Sequence, residues 1–514
     1  MSALTETRSA GILLHPTSLP SRFGIGDLGP GAFAFLDWLR AAGLSLWQVL
    51  PVGPTGLGNS PYTSLSAFAG NPLLISPELL VEDGLLPVSA LAGAPAFPTA
   101  HVDFGAVVSW KTGLLNRAAA SVLDPAAGQN PALRRMRARF EAFRADRAQA
   151  PWLEDWGLFS ALKSRAGGRE WTAWDPALRR RDPAALSEAR GALAADIDRH
   201  ALVQCLFARQ WERLRDAARD RGVRIIGDLP IYVAHDSADV WAHARLFNLD
   251  DAGQPVTVAG VPPDYFSATG QRWGNPIYRW QVALGEGCHW WIDRIRANLA
   301  LADLVRVDHF RAFAGFWEIP SAETTAVKGR WVPGPGMPLF DALRGALGDD
   351  AVHRLIAEDL GHITDDVKAL RDRLGLPGMR VLQFALGDAD NDHRPDRHAE
   401  RCVVYTGTHD NDTARGWFES LAPRDRKQAR RLFHSRDANI PWNMIRTAFG
   451  SVAGAAIVPM QDALGLDSNA RMNTPGSPSD NWSWRVLPKQ LRPELARRLK
   501  SLARTTGRLH PARA

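Results

Sequence analysis

Apolar residues gather into eight short runs bounded by glycine, proline and polar turns. They are GILLHP (11–16), LWQVLPV (46–52), VRIIGDLPIYV (223–233), LVRVDHF (304–310), LIAEDLG (355–361), MRVLQFAL (379–386), CVVYTGTHD (402–410) and AAIVPMQDAL (455–464). The runs are continuous rather than alternating, the pattern of parallel strands covered on both faces. Helical periodicity fills the intervals, at 31–42, 196–221, 290–301 and 364–375. In the second of these, Leu202, Cys205, Leu206, Phe207 and Trp211 share roughly one face. In the last, Thr364 is placed as an N-cap and Gly375 as the C-terminal stop. Eight strands alternating with helices predict an α/β fold, a (β/α)8 TIM barrel spanning residues 1–514 as one domain.

Two stretches break the alternation. Residues 77–195 hold no barrel strand and read as an Ala-, Arg- and Pro-rich helical insertion between the second and third strands. Residues 248–286 are rich in glycine, proline and aromatics, and read as a long active-site loop before the fourth strand, a length that is usually functional.

Composition narrows the class. At 514 residues, with 45% hydrophobic and 23% charged residues, the chain is an ordinary globular protein. The net charge is +6, but only seven of the 61 basic residues are lysine and the arginines are scattered, which reads as residue bias rather than a nucleic-acid surface. No signal peptide is expected at MSALTETRSAG, and no membrane span, because no apolar stretch approaches the required length. Three widely spaced cysteines, Cys205, Cys288 and Cys402, suit reduced thiols in a cytoplasmic protein and lack metal-ligand spacing. There are 19 Trp but only five Tyr, and all five tyrosines fall in or beside the segments singled out here.

In barrel enzymes the working residues sit at the C-terminal ends of the strands. The third run passes through Asp228, the fourth carries Arg306, Asp308 and His309, and the fifth carries Glu358. The sixth offers Gln383 and Phe384, and the seventh ends in His409 and Asp410. A single strand-end aspartate is as easily a cap as a catalyst. Four acids at one rim repel one another, and that arrangement points to chemistry. Zinc-ligand spacing is missing, the glycines of PVGPTGLGNSP lack the Lys-Ser/Thr of a phosphate loop, and no Gly-x-Ser-x-Gly elbow is found. Paired carboxylates with abundant aromatics fit glycoside chemistry: one carboxyl serves as acid, a second attacks or stabilises the anomeric carbon, and aromatic faces stack on sugar rings.

At this point the chain resembles a known family. The segments GILLHPTSLPSRFGIGDLG, NSPYTSLSAFAGNPLLI, IIGDLPIYVAHDSADVW, GVPPDYFSATGQRWGNPIY, RVDHFRAF, IAEDLG, YTGTHDNDT and ARMNTPGSPSDNWSWR are similar to those of the amylomaltases, the 4-alpha-glucanotransferases of glycoside hydrolase family 77 in the alpha-amylase clan. The likeness covers nearly the whole chain; only the insertion around 80–195 is uncharacteristic. It implies Asp308 as nucleophile, Glu358 as general acid/base and Asp410 as a clamp on sugar hydroxyls. It implies that Arg306 and His409 hold the reacting glucose and that Tyr62 stacks on that ring or the next. Asp264, Tyr265 and Phe266 match a loop over the acceptor side, with Trp273 nearby, and Asn473 matches a substrate contact. Asp228, His309, Gln383 and Phe384 complete the expected substrate-binding set, with His309 left between substrate contact and support of the Asp308 turn.

The resemblance implies no cofactor, no metal and no obligate protein partner; the partners are alpha-1,4-glucans and glucose as acceptor. Arg306 is expected to lower the pKa of Asp308, and neighbouring carboxylates to raise that of Glu358. The carboxylates do not separate transfer from hydrolysis, because both pass through one covalent intermediate. A long aromatic loop that excludes water favours transfer. An alpha-1,4-glucan hydrolase of the same clan, and a non-catalytic glucan-binding barrel, stand as alternatives.

Overall fold

The computed structural model describes residues 7–126, 130–263, 267–477 and 480–509. Among these residues twelve strands fall in two sheets. The first is built from β1 (Ser9–Leu13), β2 (Leu46–Gln48), β3 (Arg224–Pro230), β6 (Leu304–Asp308), β9 (Leu355–Ala357), β10 (Gly378–Val381), β11 (Cys402–Tyr405) and β12 (Ala455–Pro459). These are the eight predicted runs. They pair in parallel in the order β10-β11-β12-β1-β2-β3-β6-β9. The backbone N–H of Ala357 in β9 donates to the carbonyl of Pro377, just before β10, at 2.9 Å and draws the two ends together into a nearly closed barrel.

Side-chain parity explains why both faces are apolar. Leu46, Ile226, Leu304, Ile356, Val381, Val403 and Ile457 form a core inside the barrel. Their neighbours Trp47, Ile225, Val305, Leu355, Val404 and Val458 pack outward against the helices. Parity then dictates the rim. Continuing in steps of two, Ile226 leads to Asp228, Leu304 to Arg306 and Asp308, and Ile356 to Glu358, so the polar residues lie on the inner side of the strands.

The four predicted helices form within two residues of the expected ends, at Pro30–Ala41, Ala194–Asp220, His289–Leu301 and Asp365–Leu374. Gly375 closes the last in a left-handed conformation (φ 70°), whereas Thr364 occupies the N-cap position without its side chain capping the helix. Between β2 and β3 the chain forms helices at Pro77–Glu82, Phe104–Leu123, Pro131–Ala145, Ala150–Arg165, Pro176–Arg179 and Pro183–Ala192. Among the described residues no helix is long and apolar enough to cross a membrane.

The second sheet was not foreseen. The segment read as a loop contains β4 (Thr257–Val261) and β5 (Gln271–Pro276), and β7 (Gly315–Pro320) and β8 (Arg330–Pro333) follow β6. They pair antiparallel in the order β5-β4-β7-β8. All four strands are short, β5 and β8 are largely exposed, and β4 pairs with β5 through a register shift between Val258 and Gly260. A Cβ at Gly260 would lie 2.2 Å from the Gln271 carbonyl, so the glycine that makes the segment look loop-like is required by the pairing.

One buried charge ties the helix Phe104–Leu123 to the barrel. Lys111 Nζ donates to the carbonyls of Leu73 (2.6 Å) and Ile75 (3.0 Å) and lies 3.6 Å from Asp27, both ions being almost fully buried. Removing one partner of such a pair costs about 3–5 kcal/mol because the other charge is stranded. Lys111→Ala is therefore expected to lower the thermal unfolding midpoint markedly, and adding Asp27→Asn to recover part of the loss, as read by circular dichroism.

Candidate active site

The centre of the site is Arg306 on β6. Its Nη1 donates to both oxygens of Asp228 on β3, at 2.8 and 2.7 Å, and its Nη2 lies 2.8 Å from Asp308 Oδ1. The register places Arg306 directly beside Asp228. The guanidinium and Asp228 are both buried. Tyr62, from the loop after β2, donates its hydroxyl to Asp228 Oδ2 at 2.7 Å. Its ring stacks on His409 at 5.0 Å between centroids and 16° between planes.

Asp308 and Glu358 follow the paired residues Val307 and Ala357 on adjacent strands. Neighbouring strands run about 4.8 Å apart, so the two carboxyls stand side by side at one level of the rim. The Glu358 N–H donates to the Val307 carbonyl at 3.1 Å, and the Phe310 N–H returns to the Glu358 carbonyl at 3.1 Å. Two backbone donors then fix the Glu358 carboxylate: His309 N–H to Oε2 at 2.6 Å and Leu360 N–H to Oε1 at 2.8 Å. To present its N–H, His309 adopts a left-handed conformation (φ 52°, ψ 46°), which costs a non-glycine residue about 1–2 kcal/mol. Its ring is held edge-on by Trp273 at 4.8 Å, with Nε2 buried and without a hydrogen-bond partner.

Across the rim, His409 Nε2 lies 3.3 Å from Asp410 Oδ2, and Asn473 Nδ2 donates to Asp410 Oδ1 at 2.6 Å. Arg471 spans the Asp410 and Asn473 carbonyls at 2.6 and 2.7 Å.

These surroundings separate the acids. Burial pushes Asp308 up to about 6; Arg306 opposes the rise and Asp228 adds to it. The expected fall is thus reversed, because Arg306 divides its field between two carboxylates and does not offset desolvation. Asp308 keeps 28% of its side-chain exposure, so water in the open cleft tempers the rise. Burial likewise lifts Glu358 to about 7, with Arg306 pulling down and Asp308 pushing up, so burial rather than neighbouring acids is the first cause. For Asp410, burial is outweighed by His409, Asn473 and Arg306, which together bring it down to about 2. Burial would lower His409, but Asp410 raises it above its ordinary value.

The structure therefore gathers Tyr62, Asp228, Arg306, Asp308, His309, Glu358, His409, Asp410 and Asn473 around one opening. Trp273, on β5, is 38% exposed and joins through His309. Gln383 lies at the end of β10 and donates to the Asp412 carbonyl at 2.8 Å. Phe384 packs against the barrel interior and edge-on to His393 at 5.5 Å. Asp264, Tyr265 and Phe266 lie outside the described residues. Three contributors were missed. Arg471 stands two residues before Asn473, Leu360 acts through its backbone, and Trp482 leans on Tyr62 and His409 at 5.8 and 5.9 Å. Arg471 and Trp482 lie inside the ARMNTPGSPSDNWSWR segment, whereas a backbone donor leaves no mark in the sequence.

A parallel barrel bearing adjacent carboxyls of unequal acidity at its C-terminal rim, with aromatic and guanidinium side chains beside them, defines a carbohydrate-active barrel enzyme. Residues 14–490 match the family model for 4-alpha-glucanotransferase, glycoside hydrolase family 77. The chain is 49% identical over 511 residues to the 4-alpha-glucanotransferase of Thermus thermophilus, covering 98% of this chain and 99% of that one. It is 46% identical to the chloroplastic/amyloplastic 4-alpha-glucanotransferase of Solanum tuberosum, covering 98% and 87%. The amylomaltase of Streptococcus agalactiae, solved in complex with acarbose, superposes with a TM-score of 0.92 at 35% identity, covering 98% and 100%. The chain belongs to glycoside hydrolase family 77, the 4-alpha-glucanotransferases.

The raised pKa of Glu358 has a stability consequence. Between its ordinary 4.5 and about 7 the folded chain holds a proton that the unfolded chain has released, so folding loses free energy as pH rises through that window. Above it the penalty is on the order of 3 kcal/mol. Glu358→Gln is expected to raise the thermal midpoint at pH 8 and to leave it nearly unchanged at pH 4, measured by scanning calorimetry.

Proposed function

We propose that the enzyme moves a segment of an alpha-1,4-glucan, such as maltodextrin, amylose or a glycogen chain, to the 4-hydroxyl of an acceptor glucan or of glucose by retaining double displacement. The observation that carries this reading is the adjacency of Asp308 and Glu358, which directly follow the paired residues Val307 and Ala357 of β6 and β9, since retaining pairs stand about 5–5.5 Å apart. An Asp308 carboxylate oxygen attacks the anomeric carbon while Glu358 gives its proton to the departing 4-oxygen. The acceptor 4-hydroxyl then attacks the same carbon, releases its proton to Glu358 and expels Asp308. The productive form, Asp308 ionised and Glu358 protonated, is favoured between about 6 and about 7, values that belong to the coupled pair rather than to either group alone.

Asp410, held at low pKa, is suited to bind sugar hydroxyls and to favour an oxocarbenium-like transition state. Arg306 and His409 flank the reacting glucose, with Tyr62 beside it. Gln383, Phe384 and Asn473 line neighbouring parts of the substrate path. We place residues 248–286, including Asp264, Tyr265, Phe266 and Trp273, on the acceptor side as the element that shields the intermediate from water. The hydrolase alternative is disfavoured by the family to which the chain belongs. Residues 77–195 are proposed as a helical insertion within a single catalytic domain. Three buried free thiols, Cys205, Cys288 and Cys402, suit work in a reducing cytoplasm.

With maltotriose as sole substrate, wild-type protein is expected to yield glucose and longer maltodextrins. Asp308→Asn should lose this transfer by at least about 10³-fold while still binding maltodextrin. Chromatography of products over time and calorimetric titration of the variant read the two outcomes. Near-normal turnover by the variant would remove Asp308 from the nucleophile's place, and products no longer than the substrate would favour hydrolysis.

A further inference from the structure

The turn that follows Asp308 contains a second arginine, Arg311, which family resemblance did not single out. It is buried, and its guanidinium reaches three elements. Nε donates to the Gly315 carbonyl at 3.2 Å, at the start of β7. Nη1 donates to the His362 carbonyl at 2.7 Å, in the segment leading away from Glu358. The guanidinium plane lies over the ring of Trp331 on β8, 3.8 Å from its centre. Arg311 thus bridges the two rim segments that carry Asp308 and Glu358 and anchors both to the second sheet.

Between Asp308 and Arg311 lies His309, whose left-handed backbone aims its N–H at Glu358 Oε2. A strained residue persists only where its surroundings over-determine it. The Arg311 contacts supply that constraint from the C-terminal side and Trp273 from the ring side. We propose that Arg311, backed by Trp331, is a positioning residue for acid/base catalysis: it holds the His309 turn so that its N–H fixes the Glu358 carboxyl against Asp308. The proposal rests on the reading of Glu358 as the acid/base.

The groups around this device are defined. Glu358 faces Arg306 and Asp308 from β6 and the N–H groups of His309 and Leu360. Asp228 stands behind Arg306. Arg311 faces Asp366 from the helix after β9 and Tyr232 from the segment after β3. Burial keeps the His309 ring neutral, and the facing Arg311 adds to that. Relaxing the turn removes a donor to the ionised Glu358 carboxylate, and loss of such a bond raises a carboxyl's pKa.

The test compares two donors in Arg311→Ala and Arg311→Lys. Maltotriose has a leaving group that needs a proton; alpha-maltosyl fluoride has one that does not. Rapid-mixing measurement of the first half-reaction should show a loss of about 10–100-fold with maltotriose and under about 3-fold with the fluoride. The basic limb of the maltotriose pH profile should move upward by about half a unit or more. Trp331→Leu, at a partly exposed position, should shift both readouts in the same direction by less, and carries the test if the Arg311 variants fail to fold. Equal losses with both donors, or an unmoved basic limb, would overturn the proposal. Glu358→Gln serves as reference. If it shows no preference for the fluoride, the acid/base reading itself fails; if it does and the Arg311 and Trp331 variants do not, only the positioning role fails.

Discussion

The site depends on Arg306 being held inside the barrel between two aspartates. A guanidinium there is tolerable only because Asp228 takes it in both oxygens and Asp308 takes its remaining edge. That sharing sets everything else at the rim. With its field divided, Arg306 does not bring Asp308 down to the acidity of an ordinary ion pair, and Asp308 in turn helps keep the proton on Glu358. Asp410 escapes the competition because His409 and Asn473 hold its two oxygens separately. Four acids at one opening therefore differ in role through their partners rather than through their type.

The same economy governs rigidity. Each carboxylate is held by groups on the barrel strands or on the longer segments that follow them, as Tyr62 holds Asp228 and Asn473 holds Asp410. Tyr62 is committed to Asp228 and to the His409 ring, so an aromatic expected to meet the sugar with a free face has one face already occupied. Preorganised donors of this kind act on developing charge without reorganising at the moment of reaction.

Much of the fold was legible in the sequence because a parallel barrel writes its strands as continuous apolar runs, and those eight runs became the eight strands. The polar residues interrupting them, Asp228, Arg306, Asp308 and Glu358, converge for the same reason: a period of two carries inner positions up to the rim, whereas Asp410 arrives there on the loop after β11. The second sheet was hidden because its strands are short and partly exposed and because Gly260 serves pairing while signalling a loop. The sign of the Asp308 shift was also hidden. Sequence adjacency shows that Arg306 is near, but not that Asp228, 78 positions earlier, draws on the same guanidinium. The part played by the His309 backbone was beyond reach too, since the sequence displays its ring and not its N–H.

The most direct measurement is the location of the covalent intermediate. Glu358→Gln protein mixed with alpha-maltosyl fluoride, quenched in acid and digested, should carry one maltosyl adduct on the peptide containing Asp308, located by tandem mass spectrometry. An adduct on another carboxylate, or none from a variant that has nevertheless released fluoride in a stoichiometric burst, would contradict double displacement through Asp308.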